Sequence, residues 1–113
     1  MTLLKIFGSQ TKETNNIKIL TSEEFKSAIN EKDIQLIDVR TSREYNSGHI
    51  EKAVNIDFFN RLTFVDALKK LDKSRPVFLY CHSGNRSQKA AKMILEMGFQ
   101  EIYDLRGGYS SWS

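Results

Sequence analysis

Short apolar runs alternate with helical patterns along this chain, and that alternation constrains its fold more than any other feature. Gln35-Leu36-Ile37-Asp38-Val39 has the length and composition of a buried strand. Val77-Phe78-Leu79-Tyr80 repeats the pattern behind Pro76, a position where a missing N–H is tolerated. Ile17-Lys18-Ile19-Leu20, Ala53-Val54-Asn55-Ile56 and Glu101-Ile102-Tyr103-Asp104-Leu105 read as three further strands, the first of them short and at an edge. Thr21 with Glu24, and Thr41 with Glu44, have the spacing of capping boxes. The first box opens a helix with Phe25, Ala28 and Ile29 on its apolar face, and the second a brief helix that stops at Gly48. Leu62, Val65, Leu68 and Leu71 recur at helical spacing; so do Ala90, Met93, Ile94 and Met97, with Gly98 as terminator. Strands and helices in alternation predict an α/β fold, a parallel sheet covered on both faces.

The length of 113 residues suits one compact domain. Residues 1–16 are expected to form a flexible lead-in or docking tail. Leu3, Leu4, Ile6 and Phe7 are apolar there, without the long apolar core of a signal peptide. Residues 17–113 are expected to be the domain itself. Seventeen basic against fourteen acidic residues leave a net charge of +3, interspersed rather than blocked. That reads as a solvated surface that draws in small anions, with no nucleic-acid partner. The longest apolar run is too short to span a bilayer, and the cytoplasm is the expected compartment. The single cysteine excludes an internal disulfide and a zinc site of several thiolates. It also leaves no resolving thiol, so a group bound there must leave to an outside acceptor.

In parallel sheets ligands bind beyond the carboxyl ends of strands, and Cys81 and Asp38 both fall at such ends. Cys81 begins the loop Cys81-His82-Ser83-Gly84-Asn85-Arg86-Ser87, which runs from a strand into a helix. Backbone N–H groups and the positive helix end favour a thiolate there and hold an anion beside it. Gly84 permits the positive φ that such a curl needs. Cys81 is therefore the expected nucleophile. Two chemistries use a cysteine at the base of an anion-cradling loop that ends in arginine: phosphate monoester hydrolysis and transfer of a sulfane sulfur. Phosphatases of the protein-tyrosine class place one residue more between the two than His82, Ser83, Gly84 and Asn85, and a tighter ring suits a single sulfur better than a phosphate. His82 is a candidate for proton transfer, against the alternative that it points to solvent. His49 is expected to brace a turn, Asp38 to hold loop N–H groups or Arg40, and Arg86 either to touch substrate or to tie down a carboxylate such as Asp38. Met93, Ile94 and Met97 are expected in the core, and Trp112 to pack the carboxyl end onto the domain.

Taken in order, Asp38-Val39-Arg40, Glu44-Tyr45, Gly48-His49-Ile50 with Ala53 and Asn55, the loop from Cys81 to Ser87, Gly107-Gly108 and Trp112 resemble the single-domain rhodanese, or thiosulfate sulfurtransferase-like, family. The resemblance covers residues 20–112; Glu51-Lys52 departs from it, standing where the family often has proline and glycine. It implies a five-stranded, mainly parallel sheet with helices on both faces and Cys81 as persulfide carrier. By the same resemblance the amides of His82, Ser83, Gly84, Asn85, Arg86 and Ser87 form the cradle. Arg40 and Arg86 bind an anion or brace the loop, and Asp38 supports it from below. No metal or organic cofactor is implied. The partners implied are thiosulfate or another persulfide donor, and cyanide, glutathione or a small redox protein as acceptor. Two other readings stay open: a sulfur-relay or sensing module with little turnover alone, and a cysteine-dependent phosphatase or arsenate reductase.

Overall fold

The computed structural model describes residues 16–31 and 33–112. The elements follow in the order β1 (Ile17–Leu20), α1 (Ser22–Ala28), β2 (Gln35–Asp38), α2 (Ser42–Asn46), β3 (Val54–Asn55), α3 (Arg61–Lys69), β4 (Val77–Tyr80), α4 (Asn85–Glu96) and β5 (Ile102–Leu105), with a final 3-10 turn at Gly108–Ser111. The five strands form one sheet in the order β1-β5-β4-β2-β3, and every pairing is parallel. In a parallel sheet all carboxyl ends lie on one side, so the segments after β2 and β4 meet there.

Both faces are covered, which explains why the middle strand β4 is apolar and buried throughout. On one face α3 and α4 pack Phe64, Leu68, Ala90, Ala91 and Ile94 against Ile37, Leu79 and Ile102. On the other, Phe25 of α1 packs with Leu36, Phe78, Tyr80 and Leu105, with Tyr45 of α2 and Trp112 at the margin. Trp112 meets the Phe25 ring edge-on at 6.0 Å, which ties the carboxyl end to α1.

Both capping boxes form. Thr21 accepts the Glu24 N–H at 3.2 Å while Glu24 accepts the Thr21 N–H at 2.9 Å. Thr41 and Glu44 do the same at 3.2 and 3.0 Å. Leu68 is buried as its spacing predicts, but the inner face of α3 needs one correction: Leu62 is 81% exposed, and Phe64 is buried in its place. The edge-on contact of Phe64 with Phe58 at 5.3 Å fixes the rotation of that helix. The expected strand from Ala53 to Ile56 shortens to Val54–Asn55 because it pairs on one side only, with β2. The lead-in expected at residues 1–16 lies, except for Asn16, outside the described residues.

Candidate active site

Cys81 follows the last residue of β4, and the chain turns through His82, Ser83 and Gly84 into α4. Gly84 is the N-cap of that helix with φ of 113°, a left-handed conformation that side-chained residues rarely adopt. The turn brings the Gly84 N–H onto the Cys81 Sγ, where it donates at 3.0 Å. The sulfur therefore faces the start of a 12-residue helix, whose first amides have no partner within the helix and whose dipole is positive. Ser87 donates its hydroxyl to the Gly84 carbonyl at 3.2 Å and pins the curl from inside α4. His82, Ser83 and Asn85 are exposed, whereas Cys81 is 1% exposed.

The base of the loop is held by the carboxyl-terminal turn. Tyr109 N–H donates to the Cys81 carbonyl at 2.7 Å and Ser110 N–H to the His82 carbonyl at 2.9 Å. Gly108 lies so close that a Cβ there would stand 2.5 Å from the Cys81 and His82 carbonyl oxygens. Its φ is +63° as well, so the Gly107-Gly108 pair belongs to the architecture of the loop.

Beneath the loop, Asp38 and Arg40 form a buried ion pair. Arg40 Nη2 donates to Asp38 Oδ2 at 2.7 Å, its Nε contacts both carboxylate oxygens, and its own backbone N–H donates to Oδ1. Nη2 also donates to the Gly48 carbonyl at 2.6 Å, and the Tyr109 ring lies 4.4 Å from the guanidinium. Burial opposes the charge on Arg40, but the hydrogen bond and charge of Asp38 outweigh it and raise its pKa. Asp38 thus holds Arg40, and Arg40 is buried and turned toward Gly48 and Tyr109. In this geometry the Nε and Nη2 donors of Arg40 are engaged within the chain. Asn55 braces the same strand end, donating to the carbonyls of Asp38 and Arg40, both at 2.9 Å.

Arg86 pairs with Glu44 rather than with Asp38. The two make a forked contact, Nη1 to Oε1 at 2.8 Å and Nη2 to Oε2 at 3.0 Å. The hydrogen bond from Arg86 holds the Glu44 carboxyl down at about 2, and the Glu44 carboxylate in turn raises the Arg86 pKa, with the nearby charge of Cys81 adding to it. The Phe59 ring lies 5.3 Å from the same guanidinium and is 66% exposed. Glu44 is marked in the sequence by its capping position and by its place in the family resemblance, but nothing there points to a partner so distant in the chain.

Two more residues at the site have no sequence motif of their own. Tyr80 accepts the buried Ile50 N–H at 3.0 Å, and burial raises its phenol pKa. Asp104, in β5, is 1% exposed with an unpaired Oδ1, and burial pushes its carboxyl up to about 6. His49 stacks on Tyr45 at 3.7 Å and hydrogen-bonds its carbonyl at 2.8 Å, so it braces the turn after α2. Among the described residues no cluster of three or more His, Cys, Asp or Glu is arranged to hold a metal ion. No helix among them is long and apolar enough to cross a membrane.

Comparison with known proteins agrees with this geometry. The Rhodanese-like domain family matches residues 21–113. Thiosulfate sulfurtransferase GlpE of Shewanella oneidensis is 33% identical over 98 residues, which cover 87% of this chain and 94% of that protein. The tRNA uridine(34) hydroxylase of Cytophaga hutchinsonii is 38% identical over 100 residues, but those cover only 31% of the hydroxylase. Among solved structures, a rhodanese-like domain protein from Staphylococcus aureus aligns with a TM-score of 0.73 at 30% identity, over 85% of this chain and 91% of that one. A rhodanese-related protein from Thermoplasma volcanium gives 0.72 at 26% identity, over 84% and 89%. This chain belongs to the rhodanese-like domain family.

Proposed function

We propose that this chain is a sulfurtransferase that carries a sulfane sulfur as a persulfide on Cys81. The observation that carries the reading is the Gly84 N–H aimed at the Cys81 Sγ from the mouth of α4. A negative terminal sulfur on Cys81 would meet fixed amide donors and a helix dipole already in place, as a developing anion does in an oxyanion hole. The first half-reaction joins the Cys81 thiolate to the outer sulfur of thiosulfate and breaks the sulfur–sulfur bond, releasing sulfite. An organic persulfide donor releases a thiolate instead. In the second half cyanide attacks the terminal sulfur and leaves as thiocyanate, regenerating the thiolate, or a thiol such as glutathione takes the sulfur as a persulfide. With one cysteine in the chain, the acceptor comes from outside. The cradle assigned to the loop from His82 to Ser87, the bracing by Arg40 and the support from Asp38 belong to this same reading.

The kinetic test is a panel of donors and acceptors. The reading expects parallel double-reciprocal lines, the ping-pong pattern of a covalent intermediate, and no turnover in Cys81→Ser. Turnover of an aryl phosphate that depends on Cys81 would instead support the phosphatase reading. The chain matches about a third of the hydroxylase relatives, so a similar stretch also occurs within longer proteins, and the second reading is a relay module that passes its sulfur to one protein only. A persulfide that forms readily yet resists cyanide and glutathione would select it.

A further inference from the structure

Both arginines that the sequence offers for anion binding are engaged inside the chain. Arg40 is buried with Asp38. Arg86, at the rim, is gripped through two nitrogens by Glu44, and its guanidinium lies against the Phe59 ring. Glu44 is not free to swing away. Its Oε1 also accepts the Thr41 N–H at 3.0 Å and the Thr41 hydroxyl at 3.2 Å, so releasing Arg86 would disturb the cap of α2. A donor approaching Cys81 therefore meets a neutralised guanidinium with a fixed carboxylate immediately behind it. A doubly charged donor has the most to lose from that arrangement. Glu44 occupies one N–H on each terminal nitrogen of Arg86 and offsets its charge, and the carboxylate repels a dianion more than a monoanion.

We propose that Glu44 is a specificity-determining residue of the sulfur-accepting step: by holding Arg86, it biases Cys81 toward singly charged or neutral sulfane donors, organic persulfides above all, and against the thiosulfate dianion. This rests on the sulfur-transfer reading above. The favoured step joins the Cys81 thiolate to the terminal sulfur of an organic hydropersulfide; the sulfur–sulfur bond breaks, and its electron pair leaves on the organic thiolate. Phe59, exposed beside Arg86, offers an apolar surface to the body of such a donor.

The test compares thiosulfate with methanethiosulfonate, in which a methyl group replaces one charged oxygen and the outer sulfur keeps its chemistry. Each donor is assayed with cyanide as acceptor, in the wild type and in Glu44→Gln. Glutamine keeps an oxygen for the Thr41 N–H and removes the charge. The expected result is a gain of about tenfold in kcat/KM for thiosulfate, carried by KM with kcat little changed, and a gain of about threefold or less for methanethiosulfonate. A ratio of the two donors that stays within about twofold of the wild type overturns the proposal. Arg86→Lys supplies an independent reading, also available if Glu44→Gln does not fold. Lysine keeps the charge but loses the forked grip, so the ratio should again move toward thiosulfate, by less. A shift of the ratio away from thiosulfate in that variant would mean that Arg86 already serves the dianion, and it overturns the proposal too. A wild type that takes sulfur from neither donor defeats the sulfur-transfer reading itself. Sulfur uptake with an unaltered ratio defeats only the role of Glu44.

Discussion

Two acid–arginine pairs flank the loop of Cys81, and they are built for different ends. Asp38 and Arg40 are buried, the Gly48 carbonyl also accepts from the guanidinium, and the rings of Tyr80 and Tyr109 lie against it. Glu44 and Arg86 sit at the rim, with side chains 32% and 20% exposed, and Thr41 holds the carboxylate in place. The desolvated pair cannot lose a member without stranding a charge, so it fixes the shape of the strand ends. The rim pair is screened by water, so its loss should cost the fold little.

The largest effect should come from breaking the buried pair. Asp38→Ala leaves Arg40 charged and unpaired inside the sheet, and should lower unfolding free energy by about 3–5 kcal/mol in urea titration. A loss no greater than that of the rim variant would erase the contrast. Next comes Tyr80→Phe, which strips the Ile50 N–H of its acceptor; a loss of about 1–3 kcal/mol is expected in the same titration. Glu44→Gln should cost about 1 kcal/mol or less, because a third-exposed ion pair contributes little to stability.

Acid titration sharpens the contrast further. Glu44 is lowered from 4.5 to about 2 by the hydrogen bond from Arg86, so its contribution is full above about 4.5 and fades as the pH falls toward about 2. Asp104 is raised by burial from 3.8 to about 6 and acts with the opposite sign. Its neutral form suits the fold, and that advantage is full below about 3.8 and lost as the pH rises through about 6. Melting temperatures across this range should fall as the pH rises from about 4 to about 6, and Asp104→Asn should flatten that slope. Glu44→Gln should leave that slope intact and change only the more acidic side. A slope unaffected by Asp104→Asn would assign it to another group.

The architecture was legible because each strand and helix advertises itself locally. The capping boxes at Thr21 and Thr41 and the apolar run of β4 depend on neighbours a few residues away. Local patterning failed where packing across the fold decides. Leu62 has the right spacing for a core residue, yet Phe58 reaches Phe64 and turns Leu62 outward. The site divides in the same way. The glycine turn between the thiol and its helix was legible from the sequence alone, and Asp38 with Arg40 is a local pair. Glu44 meets Arg86 only because α2 and α4 begin on the same side of the sheet, a relation between distant segments that no local spacing encodes. Asp104 stood within an ordinary strand pattern, and only burial gives it a shifted pKa.

The most direct measurement is the intact mass of the full chain after excess sulfane donor. The account predicts an added sulfur of about 32 Da on the wild type, removed by cyanide and absent in Cys81→Ser. An unchanged mass with every donor, or the same adduct in Cys81→Ser, would contradict it.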